Sequence, residues 1–304
     1  MNQKEGQKTP VSRYATLFII IGGSLWGIIG LFSTRLAAFG CSPAEITFIR
    51  NLVGAAGMVL YLLVRNRDKL KVSIKDLWMF LGTGILSIVF FNIMYFWTIE
   101  LATLSVAAIL LYTAPCFVMV MSVLFFHERL TGRKLSALLL AFAGCAFTTG
   151  VLDAVLYGGG TGIIRPLGIL TGIASGFGYA LYSIFGNVAL KKYSPETVTV
   201  YTFIVAACSL APFCARMPLF LRLCHLPVLA NGISIGLVST MAPFLFYTAG
   251  LAYTPPGKAS VLAFVEPMVA TLVSVFILHE PLRFTGVIGI LMIFSSIVIL
   301  TRES

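Results

Sequence analysis

The stretch Tyr95–Leu130, YFWTIELATLSVAAILLYTAPCFVMVMSVLFFHERL, occurs twice in this chain in related form. Its second copy is Tyr247–Leu282, YTAGLAYTPPGKASVLAFVEPMVATLVSVFILHEPL, and the two align without a gap. The offset is 152 residues, half of the 304-residue chain, and it brings Pro115 onto Pro267. Each copy is a long apolar segment that contains a proline and ends in a His-Glu pair. The sequence therefore predicts a duplicated structural unit.

Most of this chain is too apolar for a soluble protein. Hydrophobic residues make up 59% of it and charged residues 11%, and the mean hydropathy is +0.98. Soluble domains carry about 25% charged residues, so a lipid bilayer must be the solvent for much of the surface. The net charge of +10 lies mainly in short gaps between apolar segments, which is typical of membrane proteins rather than nucleic-acid-binding proteins. The sequence predicts lipid, and no nucleic acid, as a partner.

Ten apolar segments predict an all-α polytopic membrane protein with ten transmembrane helices. Each segment is long enough to cross a bilayer as a helix, and none alternates like a membrane strand. The segments cover residues 14–38, 44–64, 77–99, 103–126, 134–152, 166–190, 197–215, 228–252, 257–278 and 284–301. The first five, within 14–152, form one predicted repeat, and the last five, within 166–301, form the other.

Lysine and arginine are distributed unequally between the two predicted membrane faces. Fifteen lie on the face that holds the N-terminus and five on the other, and five of the fifteen are in the loop 65–75. The positive-inside rule therefore predicts that both termini are cytoplasmic. Because each repeat has five spans, the second repeat must enter the membrane inverted, an arrangement common in secondary transporters.

The ends of the two repeats carry a resemblance to a known family. They read APCFVMVMSVLFFHERLTGRK (114–134) and EPMVATLVSVFILHEPLRFTG (266–286), and the first two segments contain SLWGIIGLFSTRLA (24–37) and SPAEITFIRNL (42–52). The chain resembles the drug/metabolite transporter superfamily, and within it the EamA-type members. This resemblance implies a plasma (inner) membrane exporter of small metabolites, such as amino acids or their derivatives, that works by alternating access. Nucleotide-sugar and sugar-phosphate carriers share the ten-helix plan and are the alternative.

Glu266 is the candidate for coupling or for binding a substrate amine. It lies about ten residues into its span and directly precedes Pro267. An ionisable group at that depth costs about 2.5–3.5 kcal/mol on insertion scales and is by default a functional candidate. Its copy in the first repeat is Ala114. The alternative role is a protonated or hydrogen-bonded carboxyl that ties helices together.

The two prolines, Pro115 and Pro267, predict helix kinks at matching positions of the repeats. Interrupted helices at equivalent positions indicate the substrate site of a transporter. The alternative is a kink that serves packing alone.

Arg50 is the candidate for binding a carboxylate, because a guanidinium matches that geometry. It lies about two turns into the second span. Alternatively, it pairs with Glu45 or Glu100, which are predicted near the same membrane level.

A set of aromatic and amide side chains occurs at mid-span. Such side chains offer an apolar face with a polar tip, which suits a small amphipathic metabolite. Packing or interfacial anchoring is the alternative for any one of them. We expect some to line a cavity, with Trp26, Tyr95 and Tyr179 first. The set comprises Trp26, Asn92, Tyr95, Tyr112, Tyr179, Tyr182, Phe244 and Tyr247.

The His-Glu pairs, at residues 127–128 and 279–280, do not predict a metal site, since no HExxH pattern follows either pair. We expect each glutamate to cap the N-terminus of the next helix. No cofactor is predicted, and without a Walker A motif transport is driven by a substrate or proton gradient rather than directly by ATP. The sequence does not predict an oligomeric state. An intramembrane enzyme and a non-transporting receptor are the competing classes.

Overall fold

The computed structural model describes residues 14–149, 165–279, 281 and 284–302, and within them ten long helices. Nine are long and apolar enough to cross a membrane; the other, α5, ends at Thr148, and its predicted end at 150–152 lies outside the described residues. This confirms the predicted all-α fold of two five-helix repeats. The helices are α1 Ala15–Ala38, α2 Pro43–Arg65, α3 Ile74–Leu101, α4 Leu104–Phe126, α5 Gly132–Thr148, α6 Pro166–Leu190, α7 Pro195–Cys214, α8 Leu226–Leu251, α9 Pro256–Ile277 and α10 Phe284–Thr301.

The two repeats pack against each other crosswise. Helix α1 packs along α8, and its equivalent α6 packs along α3. Helix α2 pairs with its equivalent α7, and α5 pairs with α10. Each helix contact therefore has an equivalent in which the two repeats have changed places. A pseudo-two-fold axis between the repeats requires this equivalence.

The connections between helices define two ends of the bundle. We call the end formed by the α2–α3, α4–α5, α6–α7 and α8–α9 connections the basic face, and the other end the opposite face. At the basic face, Lys69 pairs with Glu196 at 2.7 Å, and the hydrogen bond from Lys192 to Asp76 raises the pKa of that lysine. At the opposite face, Arg222 pairs with Glu45. Each of these ion pairs joins one repeat to the other.

Helices α4 and α9 are each broken into two. The first halves are Leu104–Leu111 and Pro256–Leu262, and the second halves are Ala114–Phe126 and Val265–Ile277. The sequence predicts kinks at the prolines, and the structure places the breaks just before them. The physical reason is that a proline lacks an N–H group, which costs nothing in the first turn of a helix.

Helices α3 and α8 each contain a π-helical stretch at matching positions, Gly82–Val89 and Leu237–Met241. Such stretches widen the helix and often mark functional sites. Ser87 and Ser239 lie 152 residues apart within them, and both have buried hydroxyls without a hydrogen-bond partner in the described part of the chain.

Small residues allow close approach of α1 to α9 and of α6 to α4. A Cβ atom on Gly27 would lie 2.7 Å from the Glu266 carbonyl oxygen, and one on Gly176 would lie 2.4 Å from the Thr113 hydroxyl. Neither glycine can be enlarged without moving a helix that borders the centre of the bundle.

Candidate functional site

A cavity of about 30 Å³ lies at the centre of the bundle, where six helices meet. This volume holds on the order of two water molecules, and it is far too small for a metabolite. The structure therefore shows no room for cargo in this cavity. Six residues singled out from the sequence line the cavity. They are Trp26, Pro115, Tyr179, Tyr182, Phe244 and Tyr247.

Aromatic rings form one wall of this cavity. The ring of Trp26 lies 5.0 Å from Phe244, 5.2 Å from Tyr247 and 6.4 Å from Tyr179, measured between centroids. Tyr179 also meets Phe91 edge-on at 5.2 Å. These tilted and edge-on contacts hold the rings in defined orientations.

Serine hydroxyls form the rest of the cavity's polar lining, and sequence reasoning missed them. Ser183 is hydrogen-bonded to the Tyr247 hydroxyl at 2.7 Å, and Ser260 donates to the Gly257 carbonyl at 2.9 Å. Ser87 also belongs to the lining, and its buried hydroxyl has no hydrogen-bond partner among the described residues. Serines are common in membrane helices, so the one available signal was the pairing of Ser87 with Ser239 at the repeat offset.

Glu266 lies beside the cavity, in the first turn of the second half of α9. Its Oε2 atom accepts a hydrogen bond of 3.4 Å from the Tyr179 hydroxyl. The helix N-terminus favours a negative charge at this position. Three further predicted site residues lie within electrostatic range of the Glu266 carboxyl. They are Arg50, Tyr95 and Tyr112.

Arg50 is buried and has no hydrogen-bond or ion-pair partner in the described part of the chain. Its side chain is 9% exposed, and it makes no hydrogen bond or ion pair within the described residues. The pairing of Arg50 with Glu45 or Glu100 is wrong: Glu45 caps α2 and pairs with Arg222, and Glu100 is exposed at the end of α3. A buried guanidinium without a partner is costly, so this group is available to an anion.

Asn92 and Pro267 lie near this compartment without lining the cavity. The Asn92 amide donates to the Ile88 carbonyl at 2.7 Å and accepts from the Thr47 hydroxyl at 3.4 Å. It therefore ties α3 to α2 one turn from Arg50. Pro267 is buried in the first turn of the second half of α9.

The repeat offset relates the two sides of the site. Ala114 at the cavity corresponds to Glu266, and Thr202 corresponds to Arg50. The cavity, which lies toward the basic face, is therefore neutral, whereas the compartment around Glu266 toward the opposite face carries both charges. Two further pairs follow the same offset, Phe244 with Asn92 and Tyr247 with Tyr95.

Glu128 closes the basic face beneath the cavity. Its Oε2 atom accepts from the backbone N–H of Gly257 at 3.0 Å, and Lys134 donates to its Oε1 atom at 2.9 Å. The expectation that Glu128 caps the next helix is wrong, since Thr131 caps α5 and Glu128 reaches α9 in the other repeat. The reason is the inverted packing, which brings the start of α9 beside the end of α4. His127 ends α4 in a left-handed conformation, as does His279 after α9, and Glu280 lies outside the described residues.

Comparison with known proteins agrees with this duplicated fold. Residues 13–150 and 166–302 each match the EamA-like transporter family. The chain belongs to this family. The family has two repeats of five helices, as this chain does. The family match confirms the resemblance that the ends of the repeats indicated.

Relatives of this EamA-like chain are named as transporters. An "Uncharacterized transporter" of Archaeoglobus fulgidus is 29% identical over 295 residues, covering 96% of this chain and 97% of the relative. The "Uncharacterized inner membrane transporter YicL" of Salmonella typhimurium is 24% identical, covering 96% and 97%. A crystal structure aligns with a TM-score of 0.79 at 20% identity, over 96% of this chain and 97% of the other, which supports the fold alone. The EamA-like chain is thus an integral membrane protein of a transporter family.

Proposed function

We propose that this EamA-like protein is a secondary transporter that exports small zwitterionic metabolites, such as amino acids or their derivatives, by alternating access. Buried Arg50, which has no partner in the described part of the chain, carries the proposal. An unpaired guanidinium in a membrane protein needs an anion, and a carboxylate matches its two parallel donors.

Glu266 supplies the second half of this recognition. It lies within electrostatic range of Arg50, so one compartment offers both a cation and an anion. A zwitterion would present its carboxylate to Arg50 and its ammonium group to Glu266. A cargo with only one charge would leave either Arg50 or Glu266 without its counter-charge, so the pair of residues favours zwitterions.

The broken helices supply the motion that alternating access requires. The cavity is too small for cargo in this structure, so cargo must enter by movement of the elements around it. The breaks in α4 and α9 lie at equivalent positions of inverted repeats, where each half-helix can swing about the break. When the half-helices of one repeat swing, the site opens to one face of the membrane. When those of the other repeat swing, the site opens to the opposite face.

Protons are the coupling ion in this proposal. When no ammonium group occupies the compartment, a proton on Glu266 removes a costly charge from the bilayer interior. Competition between proton and substrate amine for one carboxylate couples their movements. Following the distribution of lysine and arginine, the basic face is cytoplasmic and the protein lies in the plasma (inner) membrane.

Efflux from proteoliposomes tests the transport proposal. Vesicles loaded with radiolabelled neutral amino acids should lose label through the wild-type protein, and Arg50→Gln should lower the rate by about tenfold or more because the lost charge-assisted bond contributes on the order of 1.5–3 kcal/mol. Arg35→Gln is the matched control, since Arg35 is exposed at the end of α1. No flux of any amino acid would contradict the proposal.

The same vesicles test the alternative classes. A carrier of sugar phosphates would release those compounds instead, since phosphate also suits Arg50. Absence of flux for amino acids, sugar phosphates and nucleotide sugars would favour a receptor or an intramembrane enzyme.

A further inference from the structure

We propose that Tyr179 and the central cavity form a proton path between Glu266 and the basic face of the bundle. The proposal rests on the proton coupling proposed above. It adds the route by which the proton reaches and leaves the carboxyl group.

The Tyr179 side chain belongs to both compartments. Its hydroxyl lies 3.4 Å from the Glu266 carboxyl, and the residue also lines the cavity. Edge-on contacts with Trp26 and Phe91 fix the orientation of its ring. The hydroxyl group thus stands where the charged compartment meets the neutral one.

The cavity has room for water beside the few polar groups in its lining. Its volume of about 30 Å³ accommodates on the order of two water molecules. Ser87 belongs to the lining, and its buried hydroxyl has no hydrogen-bond partner within the described residues. Hydroxyls of Ser183 and Tyr247 lie in the same lining and bond to each other. If the Ser87 side chain turns toward the cavity, a water there would satisfy its hydroxyl and continue the chain of hydroxyls below Tyr179.

Polar groups continue from the cavity to the basic face along the first half of α9. Ser260 lines the cavity and donates to the Gly257 carbonyl, and the Gly257 N–H donates to Glu128. The Glu128 side chain is 8% exposed and the Lys134 side chain paired with it is 12% exposed. This partly shielded ion pair stands where the path would meet cytoplasmic water.

The proton transfer leaves Tyr179 chemically unchanged and moves one proton from Glu266 to a water molecule. Protonated Glu266 donates its proton to the Tyr179 oxygen while the Tyr179 hydroxyl releases its own proton to a cavity water. Tyr179 ends as a neutral phenol, Glu266 as a carboxylate, and the water carries the proton. Opening of the basic face passes that proton to bulk water, and reversal of the steps reloads Glu266.

Other ionisable groups around Glu266 do not offer this route. Arg50 keeps its proton throughout the accessible pH range. Tyr95, Tyr112 and Cys145 face Glu266 from α3, α4 and α5, but none of them lines the cavity. On the other elements packed against α9, α10 has no titratable side chain and α1 has only Arg35 at its exposed end.

Infrared difference spectroscopy after a pH jump tests the path without any cargo. The carboxyl band of Glu266 is identified by its loss in Glu266→Gln. In Tyr179→Phe the ring is kept and the hydroxyl is lost, and the band should respond about tenfold more slowly than in the wild type. Ser87→Ala should also slow the response, because it removes the polar partner of the cavity water.

Tyr182→Phe is the matched control. Tyr182 lines the same cavity, but its hydroxyl bonds to Thr248 rather than to Glu266, and its band response should equal that of the wild type. A Tyr179→Phe response as fast as the wild type would overturn the path and leave the transport proposal intact. Absence of a Glu266 band would overturn both the path and the proton coupling. Failure of amino-acid efflux would not affect this measurement.

Discussion

The rings of Tyr112 and Phe264 contact each other with their centroids 6.0 Å apart and their planes inclined by 51°. The two residues are 152 positions apart, so they are the same position of the two repeats. Each lies at the break of its own helix, α4 or α9. The two broken helices therefore meet at their breaks, on the pseudo-two-fold axis that relates the repeats.

This contact predicts a stability difference between two phenylalanines of α9. Phe264 is 2% exposed, whereas Phe276 is 73% exposed. Phe264→Ala should lower the free energy of unfolding by about 3 kcal/mol or more, as for other buried aromatic truncations. Phe276→Ala should leave it nearly unchanged. Denaturation in detergent micelles measures both, and equal losses would contradict a central role for Phe264.

The close approach of α1 to α9 predicts that alanine substitutions at two glycines of α1 affect transport differently. A Cβ atom at Gly27 would lie 2.7 Å from the Glu266 carbonyl oxygen and 3.0 Å from the Ala270 nitrogen, whereas Gly30 has nothing within 4 Å. Gly27→Ala should separate the helices and abolish most proteoliposome flux, because backbone atoms cannot yield as side chains do. Gly30→Ala should retain the flux. Full flux in Gly27→Ala would show that this packing is not needed for transport.

The contact between Glu128 and Gly257 predicts a non-additive double-mutant cycle. A Cβ atom at Gly257 would lie 2.9 Å from Glu128 Oε2, so Gly257→Ala should lower the unfolding temperature. In a Glu128→Ala background the added methyl group meets no carboxylate, and the same change should be almost neutral. Gly132→Ala, with open space around it, serves as the control. Additive effects would refute the direct coupling of the two residues.

The role of Glu266 predicts a change in pH dependence. Wild-type transport should vary with external pH, because proton and cargo compete for this carboxyl. Glu266→Gln cannot exchange a proton, so its residual exchange of amino acids should be independent of pH. Measuring uptake across a pH series in proteoliposomes tests this. A pH profile that survives the substitution would remove Glu266 from proton coupling.

Hydropathy located the helices well, because bilayer thickness fixes the length of an apolar span. The predicted segment 166–190 coincides with α6, and most other ends differ by one to three residues. The sequence did not predict the irregular turns within the helices. The break at Tyr112 and the π-helical stretches depend on which carbonyl each N–H reaches, and no local composition encodes that choice.

The sequence indicated the charged and aromatic residues of the candidate site but not its serines. Arg50 and Glu266 were identifiable because ionisable groups within apolar spans are rare. Ser87 was not, since one serine in a span carries no such cost. The contact of Glu128 with Gly257 joins residues 129 positions apart, and only the crosswise packing of the repeats brings them together.

The pairing of Ala114 with Glu266 at equivalent positions bears on how the protein arose. A homodimer of one five-helix repeat, inserted in both orientations, would place two copies of each residue about its axis. Such a dimer must carry either two glutamates at this position or none. A single carboxyl group in the interior requires two repeats with different sequences, as the two halves of this chain have. Two different repeats thus allow one half to carry the charge while the equivalent position of the other half stays neutral.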